Sequence, residues 1–251
     1  MRVIAGKFGS RPLRSLRGLE LRPTSDRLRE TLFNILGPTV AGSVFVDLYA
    51  GTGAVGIEAL SRGADEVVFV EKHAAAVKLI HSNLRSLGIS LPSDRPARPR
   101  LVAPSPQEQA TSRPATVKFP GDEARIEVLS ADVVKALALL HRRKLLADFV
   151  FVDPPYAAVH EYERALVALS LGHLLAPAGR VIVETACMAK RPPARGEGHA
   201  APLSIREAAG RIEPLRRSAW EPPERIGALE QTRIVEQGDS LLVFYRLALA
   251  A

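Results

Sequence analysis

Cysteine is nearly absent from this sequence. Cys187 stands alone among 251 residues, so no internal disulfide can form, and no Cys/His cluster has the spacing of a structural zinc site. Long apolar runs are missing too. No stretch approaches the ~18 uninterrupted apolar residues of a membrane span, and residues 1–17 alternate basic with small side chains where a signal peptide would carry an apolar block. These absences predict a reduced, cytosolic chain with no metal and no membrane partner. What is present points to a folded domain: 47% hydrophobic and 24% charged residues exclude a disordered or fibrous class.

Charge is unevenly placed. The chain has 34 Lys+Arg against 27 Asp+Glu, a net of +7, and residues 1–40 hold eight basic side chains against three acidic ones. Guanidinium groups pair bidentately with phosphate oxygens, and release of condensed counterions drives such association. Arg2, Lys7, Arg11, Arg14, Arg22 and Arg27 are therefore candidates for holding nucleic acid. A solvated basic face with no partner is the plainer alternative.

From Ser43 onward, short β-branched runs alternate with helical patterns, which predicts parallel βαβ units in a doubly wound α/β sheet. Strands are expected at 44–49, 66–70, 125–129, 149–152, 180–184, near 233–236 and at 240–247. Helices are expected at 54–61, 74–87, 132–142 and 161–171. Before them, residues 1–15 suggest a short hairpin, and Pro23-Thr24-Ser25-Asp26 supplies capping residues for a helix over about 26–36. Leu91 to Pro120 carries seven prolines and reads as a mobile insertion, and Lys190 to Pro202 as a second loop of that kind. The domain expectation is a basic hairpin and helix over 1–40, then one α/β domain over 41–251 with insertions near 90–122 and 189–204.

The turn after the first strand reads Asp47-Leu48-Tyr49-Ala50-Gly51-Thr52-Gly53-Ala54-Val55-Gly56. Gly51, Gly53 and Gly56 satisfy the G-x-G-x-x-G spacing, and Glu71 lies 20 residues beyond Gly51 at the end of the second strand, placed to accept hydrogen bonds from ribose hydroxyls. Ala50, Gly51 and Gly53 would let a nucleoside approach the backbone. No Gly-Lys-Ser/Thr follows, which excludes a P-loop. Asp47 would repel a pyrophosphate but suits the amino-acid end of S-adenosyl-L-methionine, and Asp132 could accept from an adenine amino group. Gly56 could equally serve helix packing alone, and Asp132 could simply cap its helix.

At the end of the fourth strand stands Asp153-Pro154-Pro155-Tyr156. Ligands of such sheets bind at the carboxyl ends of parallel strands, so this tetrad should border the glycine turn. Two consecutive prolines remove two amide donors and leave carbonyl acceptors. Beside Asp153 they form an acceptor cluster suited to an exocyclic amino group, and Tyr156 offers a ring on which an extruded base can stack. An aromatic amine is a weak nucleophile, so holding both N–H groups favours a lone pair aimed at an electrophilic methyl.

Four blocks together resemble a known family: Arg2-Val3-Ile4-Ala5-Gly6, Arg22 through Asn34, Asp47 through Arg62, and Phe151 through Tyr156. The family is that of the bacterial methyltransferases of guanine N2 in small-subunit ribosomal RNA. The tetrad alone is shared by many amino methyltransferases, whereas the second and third blocks are far more specific. The resemblance implies the Rossmann-like class I methyltransferase fold, a mostly parallel seven-stranded sheet with a small N-terminal hairpin-plus-helix extension. It also implies S-adenosyl-L-methionine over the first two strands, the guanine at 153–156 and the basic arm on ribosomal RNA, free or in a partly assembled small subunit. Three other readings stay open on the residues: adenine N6 methylation, a nicotinamide-dependent dehydrogenase, and a non-catalytic RNA-binding assembly factor. The six histidines show no partner pattern and read as surface or capping residues.

Overall fold

The computed structural model describes residues 1–15, 25–89, 91, 115–119, 122–156, 158–187 and 220–248. Helix α1 (Asp26–Leu36) begins where Ser25 accepts the Leu28 N–H on its side chain, and its stripe of Leu28, Leu32, Phe33 and Leu36 is buried. There follow β1 (Val44–Leu48), α2 (Ala54–Ser61), β2 (Glu66–Glu71), α3 (Ala74–Ser86), β3 (Ala115–Phe119) and β4 (Asp122–Ser130). The chain continues through α4 (Val133–Arg142), β5 (Ala147–Val152), α5 (Val159–Leu171), β6 (Leu175–Ala186), β7 (Arg225–Ile226), β8 (Leu229–Gln237) and β9 (Ser240–Leu247).

All strands join one sheet in the order β3-β4-β2-β1-β5-β6-β9-β8-β7. The five strands β4 to β6 run parallel, and β9, β8, β7 and β3 add antiparallel to the two edges. This is a mixed, mostly parallel α/β sheet, as expected, with a corrected strand count. Among the described residues the sheet has nine strands, not seven: the two-residue β7 lies at one edge and β3 at the other. Residues 115–119 were expected inside a mobile insertion because of the prolines around them. The run Ala-Thr-Val-Lys-Phe between Pro114 and Pro120 is itself a β-branched and aromatic segment, and it pairs antiparallel with β4 from Ala115↔Ile126 to Phe119↔Asp122. The rest of that insertion, save Leu91, and the expected loop at Lys190 to Pro202 lie outside the described residues.

Strand alternation sorts the core into two faces. Phe45, Phe69, Phe149 and Phe151 join one cluster with the stripes of α1, α2 and α3, where Phe33 stacks on Phe45 at 6.0 Å. Val46, Leu48, Val68, Val70, Val150 and Val152 join the other with α4 and α5. Each fully buried side chain of this size contributes about 1.5–3 kcal/mol.

The N-terminal arm is docked on the first of these faces. Arg2 and Pro12 form an antiparallel bridge across a 3-10 turn at Gly6–Phe8, and Val3, Phe8 and Leu13 are buried in the aromatic-face core. Polar groups on α2 and α3 fasten the arm's backbone. The buried Glu58 carboxylate accepts the Ile4 and Ala5 N–H groups at 2.7 and 3.1 Å. Ser61 Oγ accepts the Phe8 N–H at 2.9 Å, and Asn83 Oδ1 accepts the Arg14 N–H at 2.8 Å. Among the described residues, no helix is long and apolar enough to cross a membrane.

Candidate active site

The sheet reverses its strand order at β1, which is hydrogen-bonded to β2 on one side and β5 on the other. In the β1–β5 register Leu48 lies opposite Val152, so the glycine turn and the proline tetrad leave the sheet side by side at its carboxyl end. Such a switch point is where doubly wound sheets open a ligand crevice.

The three glycines separate by role. Gly51 has φ +54°, and among the described residues a Cβ built on it would find within 4 Å only the Tyr49 carbonyl, 3.8 Å away. Space therefore remains over the turn. Gly53, at φ +76°, is the residue preceding α2. Gly56 is a packing residue, because a Cβ there would lie 2.3 Å from Cε1 of Phe69; of the two readings left open for Gly56, packing is the one seen in the geometry.

Asp47 is buried under the same turn. Its Oδ2 accepts the Gly56 N–H at 2.9 Å, supplying from β1 the helix cap that Gly53 lacks a side chain to give. Burial pushes its carboxyl up to about 7, against the lowering effect of the Gly56 bond, and the nearby Glu71 charge adds to the rise. A carboxyl whose folded pKa is raised stabilises the fold most when protonated, and that stability is lost as pH climbs from the unfolded value near 4 through about 7. The Asp47→Asn variant should therefore gain stability relative to the parent chain over this window, by up to a few kcal/mol. Chemical denaturation at about pH 4.5 and about pH 8, on either side of that window, measures this, and a difference that stays constant or shrinks with pH would contradict it.

Glu71 Oε2 accepts the Gly51 N–H at 2.9 Å and Oε1 the His73 N–H at 2.8 Å. The carboxylate braces the turn while each oxygen keeps a further acceptor position. Ala50 is buried, its N–H bonded to the Val70 carbonyl. Asp132 follows β4 and caps α4, accepting the Val134 N–H at 3.1 Å. It also lies 3.4 Å from Arg164 Nη2, so capping is one of its roles in the structure.

In the tetrad, Pro154 is buried, Asp153 and Tyr156 are half-buried and Pro155 is exposed. The Pro154 carbonyl accepts a long bond of 3.4 Å from the Tyr162 hydroxyl, and the Pro155 carbonyl accepts the Ala158 N–H at 2.7 Å. Tyr156 is held from behind. Its hydroxyl donates to Glu184 Oε1 at 3.1 Å and lies 3.2 Å from Ser240 Oγ, and burial followed by the Glu184 charge raises its pKa.

Of the basic candidates, Arg2, Lys7, Arg11, Arg14 and Arg27 are exposed, and Arg22 lies outside the described residues. Arg2 approaches Asp26 at 3.9 Å, Arg11 donates to the Leu87 carbonyl at 3.2 Å and Arg14 to Ser82 Oγ at 3.3 Å. Sequence reasoning missed several neighbours of the site. Glu184 lies near the carboxyl end of β6, a signal like the one that singled out Glu71. Tyr49 adopts φ +60° and donates to Glu161 Oε2 at 2.9 Å, tying the glycine turn to α5, the helix after the tetrad. Arg29 is fully buried, with Nη2 donating at 2.6 Å to both the Arg2 carbonyl and Asp26.

The chain is 43% identical over 90 residues to Ribosomal RNA small subunit methyltransferase D of Haemophilus influenzae, a match covering 36% of this chain and 47% of that protein. The protein of the same name from Escherichia coli strain K12 is 41% identical over 87 residues, covering 35% and 44%. The chain thus spans about half the length of the curated relatives it matches. Among solved structures, yhhF from Escherichia coli superposes with a TM-score of 0.62 at 22% identity, covering 100% of this chain and 99% of that one. A hypothetical protein of Thermus thermophilus gives 0.59 at 20%, covering 97% and 98%. These likenesses share the fold. The family model described as conserved hypothetical protein 95 matches residues 1–111 and 115–199, well over half of the sequence, and the chain belongs to that family.

Proposed function

We propose that the protein transfers a methyl group from S-adenosyl-L-methionine to the exocyclic N2 of a guanine in small-subunit ribosomal RNA. The observation that carries this reading is the adjacency of two unlike sites at one switch point: an open glycine turn after β1 and an acceptor-rich proline tetrad after β5. Relatives that bear the name Ribosomal RNA small subunit methyltransferase D support the RNA assignment.

The residues at the turn fit a nucleoside sulfonium. Gly51 leaves room for it, and Glu71 offers unused acceptor positions beside that room. A cationic neighbour would hold the buried Asp47 in its charged form, whereas a pyrophosphate would oppose that charge, which disfavours the nicotinamide reading. When bound, the cofactor supplies an electrophilic methyl on a good leaving group. Asp132 would accept at the adenine end.

Asp153 and the Pro154 carbonyl would hold the target amine and orient its lone pair, with no strong base required. Tyr156 would stack on the extruded base, its ring plane set by Glu184 and Ser240. Removing the ring should therefore cost more than removing the hydroxyl: Tyr156→Ala is expected to lower kcat/KM by about 30-fold, the middle of the ~1–3 kcal/mol that one stacking contact is worth, and Tyr156→Phe by less than about tenfold. Steady-state kinetics on RNA check this ranking.

The arm would place Lys7, Arg11 and Arg14 on phosphates. The triple alanine variant should bind RNA more weakly and shed roughly two to three from the slope of log affinity against log salt, about one per lost contact. Fluorescence anisotropy across a salt series measures it. The test of the reading as a whole is radiolabelled methyl transfer into small-subunit ribosomal RNA from a strain lacking the modification. Naked RNA and partly assembled subunits are both offered. Incorporation as N2-methylguanosine in either is expected; incorporation in neither, or as N6-methyladenosine, overturns the assignment.

A further inference from the structure

Asn83 lies on α3 and is fully buried. Its carboxamide joins two segments far apart in sequence. Oδ1 accepts the Arg14 N–H at 2.8 Å, while Nδ2 donates to the Arg14 carbonyl at 3.2 Å and to the Thr52 carbonyl at 2.9 Å. The side chain thus pairs with the basic arm much as a neighbouring strand would, and holds the middle residue of the glycine turn with the same nitrogen. Thr52 sits between Gly51 and Gly53, both at positive φ. A second tie runs beside the first: the Thr52 hydroxyl lies 3.9 Å from the Met1 sulfur, and the Met1 carbonyl accepts the Leu13 N–H at 3.1 Å.

We infer that Asn83 is a positioning residue that couples the two ligands of this protein, so that the nucleoside donor at the turn and RNA on the arm each bind more tightly when the other is present. This rests on the function proposed above. Arg14 in the arm and Thr52 in the turn share this one carboxamide, so a ligand that fixes either segment would also fix the partner of the other. Such coupling is reciprocal by thermodynamic necessity. The chemistry of the position is specific. Aspartate would keep the acceptor for Arg14 but lose both donors and set an oxygen against two carbonyls, and alanine would lose all three bonds.

The test measures a labelled transcript of small-subunit ribosomal RNA binding the full chain with and without saturating S-adenosylhomocysteine, and S-adenosylhomocysteine binding by calorimetry with and without the transcript. The parent chain should show coupling of about fivefold or more, equal in both directions. In Asn83→Asp and Asn83→Ala both ligands should still bind, with the coupling reduced to within about twofold of unity. Independent binding in the parent chain overturns the inference and requires no variant to fold. Full coupling persisting in a folded variant overturns it too, since a purely structural Asn83 would lower Tm and both affinities without touching that ratio. Failure of either ligand to bind the parent chain removes the functional reading, and this inference with it; binding of both without coupling removes this inference alone.

Discussion

Replacing Asp153 with alanine is expected to lower the rate of methyl transfer by about 10²–10³-fold, the usual cost of removing one preorganised polar group from a reacting centre, while S-adenosylhomocysteine affinity stays within about threefold. The separation follows from the architecture. Asp153 leaves β5, whereas the residues proposed to hold the donor leave β1, β2 and β4. Asp153→Asn should fall between, because an amide can accept one hydrogen bond but also turns a donor toward the amine. Single-turnover methyl transfer and calorimetry on the same preparations read the two quantities. An alanine variant with about half the parent activity, or one that has lost the donor as well, would remove Asp153 from its assigned role.

The second large effect concerns the fold beneath the turn. A Cβ at Gly56 would lie 2.3 Å from Cε1 and 2.9 Å from Cζ of Phe69, and Phe69 is fully buried in the sheet. Overpacking of this kind costs roughly 1–3 kcal/mol or more, so Gly56→Ala should lower Tm by about 5 °C or more for a chain of this length. The clash is with a side chain, so shortening it should help. Gly56→Ala combined with Phe69→Leu is expected to be more stable than the sum of the two single changes. Strict additivity would mean that α2 and β2 do not press on each other at this point.

These two residues illustrate what the sequence could and could not disclose. Parallel strands buried on both faces are written as short β-branched and aromatic runs, which is why β1, β2 and β5 were legible to within a residue or two. Helix α1 was legible from its cap and stripe. Other strand bounds were harder. β6 extends well ahead of its apolar run, beginning at Leu175 with a register shift against β5, and β3 was hidden by flanking prolines. At the site, local motifs announced the turn and the tetrad because their residues are consecutive. The bonds that hold them in place are long-range and left weaker traces. Glu58 is an acid inside a helix that is buried all round, and Asn83 is a polar residue on the apolar stripe of α3 beside Leu79, Ile80 and Leu84. Each is a polar side chain on a buried helix surface, the mark of a group with a waiting partner. The partners themselves, the backbone of residues 4, 5 and 14, could only be seen once the chain was folded.

The most direct test of the central claim is a mass-spectrometric map of small-subunit ribosomal RNA from cells with and without this gene. Loss of a single N2-methylguanosine, restored by the parent gene and not by its Asp153→Ala form, is the predicted result. An unchanged map, or the loss of a methylated adenine in place of the guanine, would contradict it.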